Sequence, residues 1–461
     1  MKNISKILIS FLLLFALLFI NSCDLEEANI NPNDPTEVPA NVLLPFNEES
    51  VARLMGGTGQ VMAGIFMQYY EGVDNHPRQV QLYVVNEALY VDWDWNDYYD
   101  GPMINLKKMI EVAHRNNAFH YAGIGKVLMA MCLGNVTSLW GDVPYSEALN
   151  GSLVRSPKFD SQQSIYETIQ ALLDEGISDL NQTYTGQKPS MDDIIFNGDV
   201  NKWKQVAYAL KARYYIHLTK RNGSLGFNPS EKALEAIANA MSSSNNDLQF
   251  PYGYSASEYN PFYSFTRLDY IIPNSSFTSL LSALNDPRKD LYYKKKFGVA
   301  DLGSSYFTST NSPVHMITYH ELKFIEAEAR LRLNENDPLA QTALQEGVRA
   351  SLNKISNGTL DPAVINAYIN TNAVLTGDFS SKLSKIIRQK YIALFASIES
   401  WTDYRRTGFP VLTPNIGGDH NQNPGGAIPR RLAYPQTERL YNKSFPSTLP
   451  TLQDRFWWDQ E

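Results

Sequence analysis

The sequence predicts a mainly α-helical protein on three grounds: its hydrophobic periodicity, its composition and its length. Apolar residues recur three and four positions apart in many segments, which is typical of amphipathic helices that pack on one another. With 43% hydrophobic and 12% aromatic residues, the 461-residue chain has a globular composition and length enough for two to four domains or one long helical array. The predicted helices cover residues 55–70, 95–115, 121–139, 161–182, 203–218, 322–333, 339–352 and 383–395.

The charge of the chain argues against a nucleic-acid partner. There are 40 Lys and Arg residues against 48 Asp and Glu residues, and the net charge is −8. Removal of the first 22 residues takes away two lysines and no acidic residue, so the net charge falls to −10. Nucleic-acid binding depends on a basic surface, which this composition does not favour.

The N-terminus predicts secretion and a lipid anchor. Lys2 and Lys6 precede an apolar run over residues 7–20, which is shorter than the roughly 18 to 20 residues of a membrane-spanning helix. Cys23 follows a small residue directly, as in a bacterial lipobox, although Asn21 is uncommon at its position. We therefore predict a signal peptide over residues 1–22 and lipidation of Cys23. The alternative is an ordinary secretory signal with an incidental cysteine.

The chain behind Cys23 divides into a tether and a body. Residues 29–39 contain three prolines and three asparagines, which disfavour helix, so residues 23–40 are predicted to form a flexible tether. Residues 41–461 are predicted to form one helical binding domain. The remaining thiol, Cys132, lies in an apolar segment and is expected to be a buried small hydrophobe. The mature chain can then form neither an intramolecular disulfide nor a cysteine metal cluster.

Several motifs in a fixed order resemble the SusD/RagB family of nutrient-binding outer-membrane lipoproteins. The strongest is Leu-Trp-Gly-Asp-Val-Pro-Tyr-Ser-Glu-Ala at residues 139–148, which is similar to the turn after the family's second long helix. The other motifs span nearly the whole mature chain, at residues 31–35, 203–218, 285–288, 318–328, 389–391, 399–410 and 428–432.

The resemblance implies a fold, a location and a partner. The fold would be four tetratricopeptide-like helix pairs as a scaffold, with long irregular loops on one face. The protein would be anchored in the outer membrane facing the cell exterior, and acidic residues 24–27 would resemble an export signal. It would act as the lid of a SusC-type TonB-dependent transporter barrel and bind glycans or, in some members, peptides. No cofactor is predicted.

Most of the shared motifs are expected to maintain the fold. Gly141 permits a turn after a helix, Pro144 fixes the following backbone, and Asp142 can cap a helix or turn. The acids and arginines of a second motif are expected to form ion pairs that join a helix end to its neighbours. That motif contains Glu399, Trp401, Asp403, Arg405 and Arg406.

A candidate ligand surface lies in residues 91–100, which hold four large aromatic residues and four acids. Aromatic rings stack on the apolar face of a pyranose, and carboxylates bind its hydroxyls. Trp95, Tyr98 and Tyr99 share one helical face, which their spacing predicts to be buried. Trp93 is therefore the better stacking residue, and Trp95 and Tyr98 are kept as candidates. Asp92 and Asp94 are predicted either to bind hydroxyls or to act as N-caps.

Further ligand contacts are predicted near the first helix and in two long irregular regions. The irregular regions are residues 249–274 and 407–449, and loops of this length are often functional. The histidines have no metal-ligand spacing, so no metal is predicted. The candidates outside residues 91–100 are Gln68, Tyr69, Tyr70, Asp74, Asn75, Tyr259, Asn260 and Tyr263.

Two other classes of protein remain open. A helical glycoside hydrolase needs two carboxylates across a cleft, and Glu399 and Asp403 have a simple i, i+4 spacing. The arginines that follow them favour a structural cluster, and no catalytic serine or phosphate-binding glycine motif is present, so we predict no catalytic residues. A purely structural lid without a ligand is the third class, and the aromatic and acidic cluster argues against it.

Overall fold

A computed structural model describes residues 38–460, apart from residues 152, 184, 297, 298 and 304. The chain divides into two units, Met1–Pro39 and Ala40–Glu461, and the second contains the body of the protein. The predicted signal peptide, the lipid anchor at Cys23 and most of the tether lie outside the described residues.

The described part of the chain is mainly helical, as predicted. The α-helices are α1 (Ala40–Met55), α2 (Thr58–Phe66), α3 (Asn75–Gln81), α4 (Asp92–Tyr98), α5 (Ile104–Arg115), α6 (Phe119–Trp140), α7 (Gln162–Leu180), α8 (Val200–His217), α9 (Pro229–Ile237), α10 (Tyr263–Thr266), α11 (Ser275–Ala283), α12 (Lys289–Tyr292), α13 (Tyr319–Leu333), α14 (Pro338–Ile355), α15 (Pro362–Asn372), α16 (Phe379–Ala393), α17 (Glu399–Thr407) and α18 (Gln436–Tyr441). The strands are β1 (Tyr70–Gly72), β2 (Leu248–Phe250), β3 (Ile271–Pro273), β4 (Lys294–Lys296), β5 (Val299–Asp301) and β6 (Val314–Ile317). They form the antiparallel pairs β1 with β3, β2 with β6, and β4 with β5.

Packed helix pairs form the scaffold, and α6 lies at its centre. Helix α6 packs against α7, α8 packs against α9, and α13 packs against α14. By length and composition α6 could cross a membrane, yet every residue in its most apolar stretch is buried inside the protein. Gly134 lets α8 approach closely, because a Cβ there would collide with the Tyr214 ring. The scaffold therefore contains the predicted helices, while their tetratricopeptide-like character stays a prediction.

Two of the predicted helices have the wrong bounds. Residues 55–70 do not form one helix, because Gly56 and Gly57 separate α1 from α2, and α2 ends at Phe66. The helix predicted over residues 95–115 is interrupted at Gly101, whose backbone is not helical and which precedes Pro102. Proline lacks the N–H that continues the hydrogen bonds of a helix. Hydrophobic spacing does not report this backbone property, so it did not predict the break.

The turn at residues 139–148 has the structural roles predicted from its sequence. Gly141 has a φ of +92°, a backbone conformation that favours glycine. The Asp142 side chain accepts a hydrogen bond from the N–H of Gln162 at 2.7 Å, at the start of α7. The C-terminal chain covers this turn, since Trp140 Nε1 donates to the Ala433 carbonyl at 3.0 Å. The turn motif therefore fixes the fold.

Helix α17 is held by buried ion pairs, as predicted for its motif. Arg406 donates to Glu328 of α13 and to Asp403 of its own helix, each at 2.7 Å. Asp403 also lies 2.8 Å from the ammonium of Lys390 on α16. All four side chains are buried, and an isolated charge would be costly there. The pairs therefore fix α17 against α13 and α16.

A second buried group joins the beginning of α17 to α8. Glu399 accepts from His217 Nε2 at 2.8 Å, and the other ring nitrogen of His217 lies 2.9 Å from the Tyr166 hydroxyl on α7. Arg213, one turn before His217, binds Glu321 of α13 at 2.6 Å. Burial alone would raise the pKa of Glu399, but attraction to His217 and Arg213 lowers it to about 2. Glu399 therefore stays ionised as part of the scaffold.

We predict that Arg406→Ala lowers the free energy of unfolding by about 3–5 kcal/mol, because it leaves the buried carboxylates of Glu328 and Asp403 without their partner. Urea denaturation measures this change. Arg53→Ala is the matched control, since Arg53 is 43% exposed in its pair with Asp97 and its removal should cost less than about 1 kcal/mol. Equal losses for the two variants would contradict a structural role for the buried pairs.

Candidate ligand-binding surface

An exposed aromatic ridge joins two of the segments that the sequence predicted to bind ligand. Trp93 of α4 is 55% exposed. Its indole contacts the ring of Tyr90, with a centroid distance of 5.3 Å and an edge-to-face angle of 71°. Tyr90 in turn stacks on His76 of α3, which follows the exposed residues Asp74 and Asn75. We call these five residues, Asp74, Asn75, His76, Tyr90 and Trp93, the Trp93 ridge.

The ridge depends on the way the chain enters α4. Residues Glu87–Val91 form a π-helical turn. Asn86 is its N-cap, and the Asn86 side-chain oxygen accepts from the N–H of Ala88 at 3.0 Å. The turn runs directly into α4, so Tyr90 and Trp93 lie one helical turn apart. The sequence analysis missed Tyr90 because it placed the start of the helix at Trp95. The i, i+3 spacing of the two rings was the signal that could have identified it.

The inner end of the ridge is a close stack between an imidazole and a phenol. The centroids of His76 and Tyr90 lie 3.5 Å apart at an angle of 15°. Burial lowers the pKa of His76 to about 4, so its ring is neutral at physiological pH. A neutral, buried imidazole makes a flat support that fixes the plane of the Tyr90 ring. Tyr90 and Trp93 therefore have a preset orientation before any ligand arrives.

The polar rim of the ridge comes from the start of α3. Asp74 is the N-cap of this helix, and one of its carboxylate oxygens accepts from the N–H of Asn75 at 2.7 Å. The Asn75 side-chain oxygen lies 3.2 Å from the Tyr90 hydroxyl. Both Asp74 and Asn75 are exposed. The ridge thus combines two apolar ring surfaces with acceptors and donors, as a flat, hydroxyl-bearing ligand requires.

Five predicted contacts lie inside the protein instead. Tyr69 is fully buried, and its hydroxyl donates to the Tyr391 carbonyl at 2.5 Å. Tyr70 is fully buried, with its hydroxyl bonded to Gln60, and Trp95 and Tyr98 are 2% and 1% exposed as their shared helical face predicted. Gln68 is also buried and donates to the carbonyl of Thr413 at 2.5 Å. These side chains cannot touch a surface ligand without unfolding their surroundings, so we remove them from the candidate site.

The two aspartates beside Trp93 are buried as well, and neither is an N-cap. Helix α4 continues from the preceding π-helical turn, and its N-cap position is occupied by Val91. Asp92 accepts from the Thr437 N–H at 3.1 Å and from its hydroxyl at 2.8 Å. Burial, with a smaller effect from the charge of Asp97, raises the pKa of Asp94 to about 7. Both predicted roles of these residues are therefore wrong: they anchor α4 and leave Trp93 as its exposed member.

The irregular region at residues 249–274 adjoins the ridge but contributes unevenly. Strand β3 pairs with β1, and the N–H of Val73 donates to the Tyr270 carbonyl at 2.9 Å. Tyr263 is half-buried and packs edge-on against Tyr259 with a centroid distance of 5.3 Å, so it stays a candidate contact. Asn260 is buried and donates to the carbonyl of Ser312 at 2.7 Å. Asn260 therefore organises loops and cannot contact a ligand.

The two carboxylates that were considered for catalysis form buried ion pairs of the scaffold. Glu399 and Asp403 are each 2% exposed, and both belong to the buried ion pairs of α17. Two carboxylates that act on a glycoside must be open to a substrate and a water molecule, and these buried side chains are not. Within the described ranges, no group of three or more His, Cys, Asp or Glu residues is arranged to hold a metal ion.

These features define the class of protein: a helical scaffold with binding loops, whose exposed groups suit ligand binding. The chain matches the family described as "Starch-binding associating with outer membrane" over residues 32–435. It therefore belongs to the SusD-like family, as its motifs indicated. A comparison with curated proteins found no match.

Solved structures share this fold along nearly their whole length. A SusD/RagB family protein from Bacteroides thetaiotaomicron is 25% identical with a TM-score of 0.75, covering 92% of this chain and 99% of that one. A chitin-binding protein is 23% identical with a TM-score of 0.77, covering 90% and 100%. A SusD homologue from Bacteroides fragilis is 23% identical with a TM-score of 0.75, covering 92% and 100%. The similarity supports the fold and the family.

The burial of Asp94 predicts a pH-dependent stability. Because its pKa is about 7 in the folded chain and near 4 when unfolded, folding takes up a proton between these pH values. Its contribution is therefore full below pH 4 and is lost as the pH rises through 7. Asp94→Asn, which mimics the neutral acid, should stabilise the protein by up to roughly 4 kcal/mol at pH 8 and much less at pH 4. Urea denaturation at both pH values measures this.

The control for this experiment is Asp100→Asn, since Asp100 is exposed and does not contribute to the pKa shift of Asp94. It should give similar small effects at the two pH values. A stabilisation by Asp94→Asn that is the same at pH 4 and pH 8 would mean that Asp94 is not the group that takes up the proton.

Proposed function

We propose that this protein captures neutral oligosaccharides at the Trp93 ridge and delivers them to a SusC-type TonB-dependent transporter, for which it acts as the lid. The observation that carries the proposal is the half-exposed Trp93 indole, held edge-to-face by Tyr90 above a buried support. Exposure of a fixed indole to water is unfavourable, and stacking on the apolar face of a ligand removes that ring surface from water. Membership of the SusD-like family supports the same role.

The ridge suits a pyranose chain in a specific way. One sugar ring can lie with its C–H face on the Trp93 indole, while its neighbour meets the Tyr90 ring. Hydroxyl groups on the adjacent edge can then donate to the Asp74 carboxylate and accept from the Asn75 amino group. Such shallow sites bind through a few stacked rings and several exchangeable hydrogen bonds. We therefore propose a site that binds its ligand without altering it.

The proposed location rests on the N-terminal sequence. A lipid on Cys23, followed by the tether over residues 23–40, would hold the body at the outer membrane facing the exterior. Helix α1 begins at Ala40, so the tether would leave at least 16 residues between the lipid and the first helix. That length lets a lid move on a barrel while the protein stays attached.

We predict that Trp93→Ala weakens oligosaccharide binding at least tenfold, or about 1.4 kcal/mol, because it removes the stacking surface. Isothermal titration with starch, chitin, xylan and mannan oligosaccharides measures this, and chitooligosaccharides come first because one structural relative is named a chitin-binding protein. The thermal midpoint should stay nearly unchanged, since the indole is exposed.

Tyr441→Ala is the control for Trp93→Ala, because Tyr441 is 76% exposed at the end of α18 and does not belong to the ridge. It should leave the affinity unchanged. An unaltered affinity in Trp93→Ala would remove this residue from the binding site. Heat from oligopeptides, with none from any sugar, would favour a peptide-binding lid, and sugar hydrolysis during the titration would favour an enzyme.

We also predict that Cys23→Ser releases the protein from membranes, because serine cannot carry the thioether-linked lipid. Fractionation of cells that express the variant, with a carbonate wash, measures this. Cys132→Ala is the control, since Cys132 is buried in α6 and should not affect the anchor. Retention of Cys23→Ser in the washed membranes, in a strain that lacks the transporter barrel, would contradict the lipid anchor.

A further inference from the structure

A second cleft of about 480 Å³ lies between the end of α14, the chain before β6 and the chain around β2. None of its lining residues belongs to the Trp93 ridge. Its volume lies within the roughly 300–1,000 Å³ that is usual for small-molecule sites. The side chains facing it are mostly hydroxyl and amide groups, among them Asn245, Gln249, Tyr306, Asn311, Asn353 and Asn357. We call it the polar cleft.

The only cation that lines the polar cleft, among the described residues, is already neutralised. Lys354 is buried along its side chain, and its ammonium lies 2.7 Å from the Asp247 carboxylate. The same ammonium donates to the side-chain oxygen of Gln249 at 2.7 Å. This bond fixes the Gln249 amide, so its amino group remains as a donor to another partner. An anionic ligand therefore has no unpaired charge to meet in this cleft.

Hydrogen bonds within the loop hold one wall of the cleft in place. The Ser305 and Thr308 hydroxyls lie 2.9 Å apart, and the Ser309 hydroxyl donates to the Ser305 carbonyl at 2.9 Å. The Ser312 hydroxyl accepts from the Ser309 N–H at 2.9 Å. Asn260 adds a bond from outside the loop, to the Ser312 carbonyl. A preorganised wall lowers the entropy cost of binding.

Two tyrosines supply ring surface beside these polar groups. Tyr306 lines the cleft, and its hydroxyl lies 3.2 Å from His315 Nε2, which fixes the ring. His315 is the cross-strand partner of Gln249, so both side chains lie on one face of the β2–β6 pair. At the rim, Tyr254 is 77% exposed, and its hydroxyl accepts from Asn311 at 2.8 Å. Rings next to amides and hydroxyls suit a sugar better than an apolar ligand.

We propose that the polar cleft is a second saccharide-binding site, which holds one or two units of a neutral glycan. Amide groups of Gln249 and Asn353 bind its hydroxyls, and the Tyr306 ring contacts its C–H face. The site is independent of the Trp93 ridge and shares only its class of ligand. A weak second site of this kind raises the local concentration of a long glycan by multivalent attachment.

Saturation-transfer NMR in the Trp93→Ala background tests this proposal, because the method detects weak binding and the background reduces the contribution of the ridge. The probes are tetrasaccharides of glucose, N-acetylglucosamine, xylose and mannose. The blocking variant is Asn353→Trp, since Asn353 is exposed at the end of α14 and an indole there fills the cleft. The matched control is Asn370→Trp, on the exposed side of α15 and outside the cleft.

At least one tetrasaccharide should give a signal with Trp93→Ala and an equal signal with its Asn370→Trp derivative, whereas the Asn353→Trp derivative should lose most of this signal. Equal signals in the two double variants, or no signal from any of the four sugars with Trp93→Ala, would overturn the proposal. Because every variant compared carries Trp93→Ala, any remaining binding at the ridge contributes equally to each signal, so a difference between the two double variants reports on the cleft and not on the ridge.

Discussion

Helix α17 buries several charged side chains, and each of them needs a partner on another helix. Arg406 and Asp403 reach Glu328 of α13 and Lys390 of α16, while Glu399 reaches His217 of α8. A buried charge without its partner is far more costly than a lost surface contact, so these pairs leave little freedom in the relative positions of the helices. The scaffold that carries the loops depends on this constraint.

The exposed surfaces differ from this scaffold in how their side chains are held. In the Trp93 ridge and the polar cleft, buried groups orient exposed ones: His76 supports Tyr90, and Asp247 neutralises Lys354. Both supports are neutral or paired, so the binding groups face water without an unbalanced charge beneath them. This arrangement suits uncharged, hydroxyl-rich ligands, which bind through stacking and hydrogen bonds and gain little from electrostatic attraction.

The sequence predicted the parts of the molecule that depend on local pattern. Helical spacing identified most scaffold helices and the buried face of Trp95 and Tyr98, and it left Trp93 exposed. It could not identify the stack of His76 on Tyr90, because the two residues are 14 positions apart and belong to different helical segments. The polar cleft is formed by three segments that are separated by as much as about 110 residues. Hydrophobic periodicity predicts local structure only, so it could not predict this contact between distant segments.

The most direct test of the proposed function is a crystal structure of the protein with the oligosaccharide that binds most tightly. We expect a sugar ring within van der Waals contact of the Trp93 indole and an adjacent hydroxyl within hydrogen-bond distance of Asp74 or Asn75. Sugar density bound elsewhere, with the Trp93 indole left in solvent, would contradict the assignment of this ridge as the glycan-binding surface.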